Sequence, residues 1–196
     1  MPVLDPATTA LVLIDLQIGI VKGDKGPRSG AEVVATAKQL AERFRSAGAP
    51  VVLTQVGFRD AAELPSRCVD KPTLPEGATP PAFYEFVAGL HQDGDIAILK
   101  HHWGAFTGTD LDLQLRRRNV RTLVIGGIST NMGVESTVRS AWELSYDVVL
   151  VEDATASRSA ELHRFPVENI FPQISRVVKA QAVELSARQP RGSSDV

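Results

Sequence analysis

The chain has little of several things, and each shortage narrows what it can be. It has one cysteine, Cys68, which excludes an internal disulfide and suits a reducing cytoplasm, the expected location. Neither sign of charge dominates its 196 residues, with 21 basic against 23 acidic side chains. The totals therefore give no electrostatic case for nucleic acid or an anionic membrane as partner. The one basic run, Arg116–Arg118, reads as a solvated helix end favoured by the dipole, a partner contact being the alternative. No apolar run approaches the roughly 20 residues that span a bilayer. The amino terminus, MPVLDPATTA, has no basic leader before its apolar run, so no signal peptide is expected. There is no linker, repeat or low-complexity segment.

The apolar content is instead cut into short β-branched runs. LVLI, VVL, IAIL and TLVI each end in a polar or glycine-rich residue: Asp15, Thr54–Gln55, Lys100 and Gly126–Gly127. Such runs suit strands buried on both faces of a parallel sheet. Strands are expected at Ala10–Leu16, Val51–Gln55, Asp95–Lys100, Thr122–Gly126, Val148–Val151 and Ser175–Val178. Helices are expected at Gly30–Ala47, Ala82–Leu90, Leu111–Arg118 and Asn131–Leu144, with another after the last strand. Strand and helix alternating at this spacing give one doubly wound α/β domain over residues 1–188. A chain this long buries roughly 70% of the surface it exposes unfolded. The Pro- and Gly-rich segment Gly57–Pro81 is too long for an ordinary connection and reads as a lid or an oligomer contact. The tail from Gln189 to Val196 is expected to lack order.

In open α/β sheets ligands bind beyond the carboxyl ends of the strands. Asp15 and Lys100 sit at two such ends, and each is costly to bury without a partner. Asp15 could instead cap the following loop, and Lys100 could snorkel at a sheet edge. Together they would hold each other charged and could move a proton. The stretch Gly126–Thr137, GGISTNMGVEST, runs from a strand into a helix and offers backbone N–H groups to negative charge. It lacks the dinucleotide spacing, so no cofactor is expected. Adjacent His101 and His102 point apart on extended backbone and make a poor chelate, so no metal is expected. Gln17, Trp103 and Phe106 flank the two charged residues and are candidate pocket walls, packing or a subunit contact being the alternative for the aromatics. Asp153 reads as a cap. Cys68 reads as a buried or half-exposed bystander.

Three ordered motifs carry a family resemblance: LVLIDLQ at Leu11–Gln17, LKHHWGAFTGTDLDLQL at Leu99–Leu115, and GGISTNMGVESTVRSAWELSYDVVLVEDATAS at Gly126–Ser157. The chain resembles the isochorismatase-like hydrolase superfamily, which includes nicotinamidases, carbamoylsarcosine amidases and isochorismatases. The resemblance implies a three-layer α/β/α sandwich, Rossmann-like, with a six-stranded, mainly parallel sheet. It also implies a homodimer or homotetramer and a small-molecule substrate.

The amidase members use an aspartate, a lysine and a cysteine. The first two fall on Asp15 and Lys100, and the third falls on Gly133. Glycine has no atom to attack with, which excludes a thioester mechanism. Isochorismatases also carry glycine there and cleave a vinyl ether with water. On that model Asp15 donates the proton, Lys100 tunes it and holds a substrate carboxylate, and the amides of Ser129 and Gly133 bind negative charge. The family commonly has a cis peptide matching Ile128–Ser129. A family glutamine follows the second strand, and Gln55 stands one residue early for it, a shift that turns a strand side chain to the other face; from a loop, Gln55 could still reach the pocket and contact substrate. Two further readings stay open: a member that binds a metabolite or partner without turnover, and an amidase in which Asp15 activates water.

Overall fold

The computed structural model describes residues 3–66, 68–71 and 79–186. Its centre is β1, Thr9–Ile14, every residue of which is buried. Around it lie β2 (Val51–Val56), β3 (Ile96–Lys100), β4 (Thr122–Ile128), β5 (Asp147–Ala156) and β6 (Arg176–Val178). The order is β3-β2-β1-β4-β5-β6, and every pairing is parallel. Among the described residues the α-helices are α1 (Ile18–Val21), α2 (Gly30–Ser46), α3 (Leu111–Arg117), α4 (Glu135–Glu143), α5 (Ala160–Asn169) and α6 (Phe171–Ile174).

The two-residue period of β1 divides the core. Leu11 and Leu13 pack with Val33, Ala37, Leu40 and Phe44 of α2. Ala10, Val12 and Ile14 point the other way, toward Leu111, Val138 and Phe171 of α3, α4 and α6. The result is a three-layer α/β/α sandwich. Among the described residues no helix is long and apolar enough to cross a membrane. The start of α2 is fixed by a capping box: Glu32 N donates to Ser29 Oγ, and Ser29 N donates to the Glu32 carboxylate.

Several boundaries differ from those expected. β1 stops at Ile14, because Asp15 takes a left-handed φ of 51° and turns the chain out of the strand. Residues 82–90 form no helix beyond the 3-10 turn Pro81–Phe83. Their backbone is used elsewhere: Val87 N donates to Leu16 O, and Ile18 N donates to Glu85 O. The fifth strand does not end at Val151 but runs to Ala156, its register against β4 shifting between Ile125 and Gly127. β4 likewise continues past Gly126 to Ile128. The helix expected from Asn131 begins instead as a π-helical turn, Thr130–Val134, before α4. After β6 the described residues hold a 3-10 turn, Ala180–Ala182, and no further α-helix up to residue 186. α5 and α6 were not expected, since Pro166 sits inside one and Pro172 in the first turn of the other. The expected tail, 189–196, lies outside the described residues, as do positions 67 and 72–78 of the Gly57–Pro81 segment.

Candidate active site

β1 and β4 are neighbours whose chain connections run in opposite directions across the sheet, and the crevice between their carboxyl ends is the usual ligand position. Gly127 lets them approach: its φ is 129°, and a β-carbon there would lie 2.2 Å from Ile14 O. This glycine serves strand packing rather than ligand contact. A cavity of about 230 Å³ opens at that point, lined in part by Asp15, Lys100, Trp103, Ser129, Met132 and Gly133.

Asp15 and Lys100 meet there. Lys100 Nζ donates to Asp15 Oδ2 at 2.7 Å and to His102 O at 2.9 Å. Thr54 Oγ1 donates to Asp15 Oδ1 at 2.8 Å. The lysine is 1% exposed and the aspartate 6%. Burial pushes the Asp15 carboxyl above its ordinary value, against the pull of the Lys100 ammonium and the hydrogen bonds from Lys100 and Thr54. An ammonium has three N–H donors, and among the described residues two are used, which leaves one for a ligand.

Gly133 stands opposite. A β-carbon there would lie 3.0 Å from Ile14 Cγ2 and 3.3 Å from both Asp15 Oδ2 and Trp103 O. Thr137 Oγ1 donates to Gly133 O at 2.6 Å and accepts from Ala105 N, tying this turn to the loop after β3. The peptide Ile128–Ser129 is cis. Thr130 Oγ1 is 2.9 Å from His163 Nδ1, and His163 Nε2 is 3.0 Å from Glu152. A buried polar chain therefore supports the turn from behind.

The match to known proteins follows these same elements. The isochorismatase domain model aligns with residues 9–182. The chain belongs to the isochorismatase family. It is 48% identical to the isochorismatase family protein YecD of Escherichia coli O157:H7, over 92% of this chain and 96% of that one. It is 33% identical to the ureidoacrylate amidohydrolase RutB of Methylobacterium radiotolerans, over 97% of this chain and 85% of that one. Its fold matches an isochorismatase family protein from Burkholderia thailandensis with a TM-score of 0.88 at 43% identity, covering 93% and 96% of the two chains. The protein is accordingly an enzyme, a hydrolase of this family.

Not every candidate residue reaches the cavity of this isochorismatase-family domain. Asp15, Lys100, Ser129, Gly133 and Trp103 line it. Gln17 does not: it is fully buried, its amide donates to Val56 O and Tyr84 O, and its carbonyl accepts from Val56 N. It splices the chain after β1 to β2. Gln55 is turned to Tyr84 O, and Val56 lines the cavity instead. Phe106 packs on Tyr146, with ring centroids 5.8 Å apart. Asp153 accepts from Ala180 N at 2.7 Å. Cys68 is exposed rather than buried or half-buried. His101 Nδ1 lies 2.6 Å from Gly57 O. Among the described residues no set of His, Cys, Asp and Glu side chains is grouped to hold a metal.

Sequence reading missed Lys22, Lys25, Phe83, His102, Met132 and Arg158, all of which line the cavity. His102 and Met132 lie inside the quoted motifs, where position alone could have marked them. Lys22, Lys25 and Arg158 come from connecting segments with no periodic signal.

Proposed function

We propose that this hydrolase acts without a covalent intermediate on a small carboxylated metabolite, and that the bond it cleaves is a vinyl ether. The observation that carries this reading is a buried acid, Asp15, facing a position, Gly133, that has no side chain. Covalent hydrolysis needs a nucleophilic atom at that position. Acid-assisted hydration needs room for substrate and water beside a carboxyl that can carry a proton, and burial raises the Asp15 pKa toward that role.

The reaction balances with water alone. Asp15 gives its proton to the terminal carbon of the enol ether, whose π electrons form the new C–H bond. The resulting oxocarbenium ion takes up water, and Asp15 regains a proton from it. The hemiketal then breaks its C–O bond, its hydroxyl proton passing to the departing oxygen, giving a ketone and an alcohol. Lys100 stabilises the Asp15 carboxylate formed midway and offers its third N–H to a substrate carboxylate. The Ser129 and Gly133 backbone provides the opposing polar wall. The reading includes a cytoplasmic homo-oligomer.

The RutB relatives favour a second reading, in which water held by Asp15 attacks an amide. One assay separates the two: purified protein is given isochorismate and a panel of carboxylated amides, with pyruvate and ammonia both measured. The vinyl-ether reading expects pyruvate in step with substrate loss and no ammonia. Ammonia without pyruvate would replace it with the amidase reading. Neither product, with the substrate bound, would mark a binding protein.

A further inference from the structure

The floor of the cavity holds one ion pair, but its rim holds three more cations. Lys22, Lys25 and Arg158 line the opening. None of the three is in a salt bridge among the described residues.

Their meeting has a backbone cause. Gly26 and Ser157 exchange both of their backbone hydrogen bonds, each 2.9 Å long, as an isolated antiparallel bridge. In antiparallel pairing, the residue before one partner stands across from the residue after the other. Lys25 is therefore set against Arg158. Gly26 makes the contact possible, since a β-carbon there would lie 2.4 Å from Ala160 N. Arg28 clamps the same loop to β5, donating to the carbonyls of Glu152 and Thr155 at 2.8 and 2.7 Å and to the Glu152 carboxylate at 2.7 Å.

Like charges held opposite each other repel. Burial first and Arg158 second hold the Lys25 ammonium below its ordinary pKa, and Asp24 offsets this only in part. The acceptors Lys25 Nζ has among the described residues are carbonyls, Lys22 O at 2.6 Å and Asp24 O at 3.4 Å. An incoming anion would relieve the repulsion and take charge-assisted hydrogen bonds from both side chains.

We propose that Lys25 and Arg158, with Lys22 beside them, form an anion subsite at the cavity mouth, and that the substrate carries a second anionic group, a carboxylate or a phosphate, held there. The first group lies at Lys100, as the proposed function requires, so the inference rests on that reading for the inner end of the ligand. Ile20, Phe83 and Trp103 wall the space between. At about 230 Å³ the cavity falls below the about 300–1,000 Å³ usual for drug-sized ligands. A compact skeleton, such as a single ring bearing two anions, fits that space.

Calorimetric titration with benzoate, isophthalate and 3-carboxyphenyl phosphate tests the subsite without turnover. One or both dianions should bind the wild-type protein at least about tenfold tighter than benzoate, the worth of an added charge-assisted contact. The tighter of the two identifies the second group. Arg158→Glu should erase the preference, Lys25→Arg should keep it, and both variants should melt where the wild type does. A preference below tenfold in the wild type, or one that survives Arg158→Glu, overturns the proposal. Failure of the hydrolytic reading would look different: no pyruvate from isochorismate, with the dianion preference intact.

Discussion

A side-chain carbon at Gly133 would stand 3.3 Å from the Asp15 carboxylate oxygen Oδ2. The acid and the bare turn are therefore direct neighbours, and whatever occupies the space above Gly133 is within proton-transfer reach of Asp15. Gly133→Ala should fill that space. The new methyl also presses on Ile14 Cγ2 at 3.0 Å, and overpacking of this kind costs about 1–3 kcal/mol. Urea denaturation should report that loss, and turnover should fall by more than the stability change explains. Unchanged turnover would mean that the substrate does not approach Gly133.

The Asp15–Lys100 pair makes an energetic prediction. Both groups are buried, so removing one leaves the other charged and unpartnered, at a cost of about 3–5 kcal/mol. Lys100→Met should be destabilised by an amount of that order. The double variant Asp15→Asn/Lys100→Met should recover much of the loss, because no buried charge remains. A double-mutant cycle in urea measures this, and simple addition of the two single losses would contradict the coupling.

Glu152 predicts the acid limb of stability. It accepts from His163 and Arg28 and pairs with Lys179. The His163 hydrogen bond first, then those from Lys179 and Arg28, hold its carboxyl far below the ordinary value of 4.5, against the opposing effect of burial. A carboxylate held ionised by the fold stabilises fully above its unfolded pKa and loses that contribution as pH falls toward the folded one. The melting temperature should therefore drop as pH falls below about 4.5, with a shallower slope in Glu152→Gln. Equal slopes in the two proteins would remove Glu152 from the account.

The parts of the site most legible in the chain are charges at the ends of apolar runs, with Trp103, Ser129 and Gly133 marked by their place in the motifs. Asp15 and Lys100 stood out because buried charge is expensive and a sheet gathers its strand ends on one edge. Gln17 looked equally well placed, yet its amide is used up by β2 and Tyr84 carbonyls, a pairing that depends on tertiary contacts. The cationic rim was invisible for the same kind of reason. Lys25 and Arg158 are joined by the Gly26–Ser157 bridge, and no local pattern announces an isolated bridge between distant loops. In the fold, alternating apolar runs placed the six strands. Pro166 hid α5, and the register shift opposite Gly126 hid the second half of β5.

The central claim is that Asp15 is the acid of a non-covalent hydrolysis, and kcat for pyruvate release by Asp15→Asn at saturating isochorismate tests it most directly. Loss of a general acid costs about 10²–10⁴-fold in rate, so kcat should fall by that much while KM and the native circular dichroism spectrum stay close to wild type. A variant that turns over within about threefold of the wild-type rate, far short of the effect of losing an acid catalyst, would contradict the account.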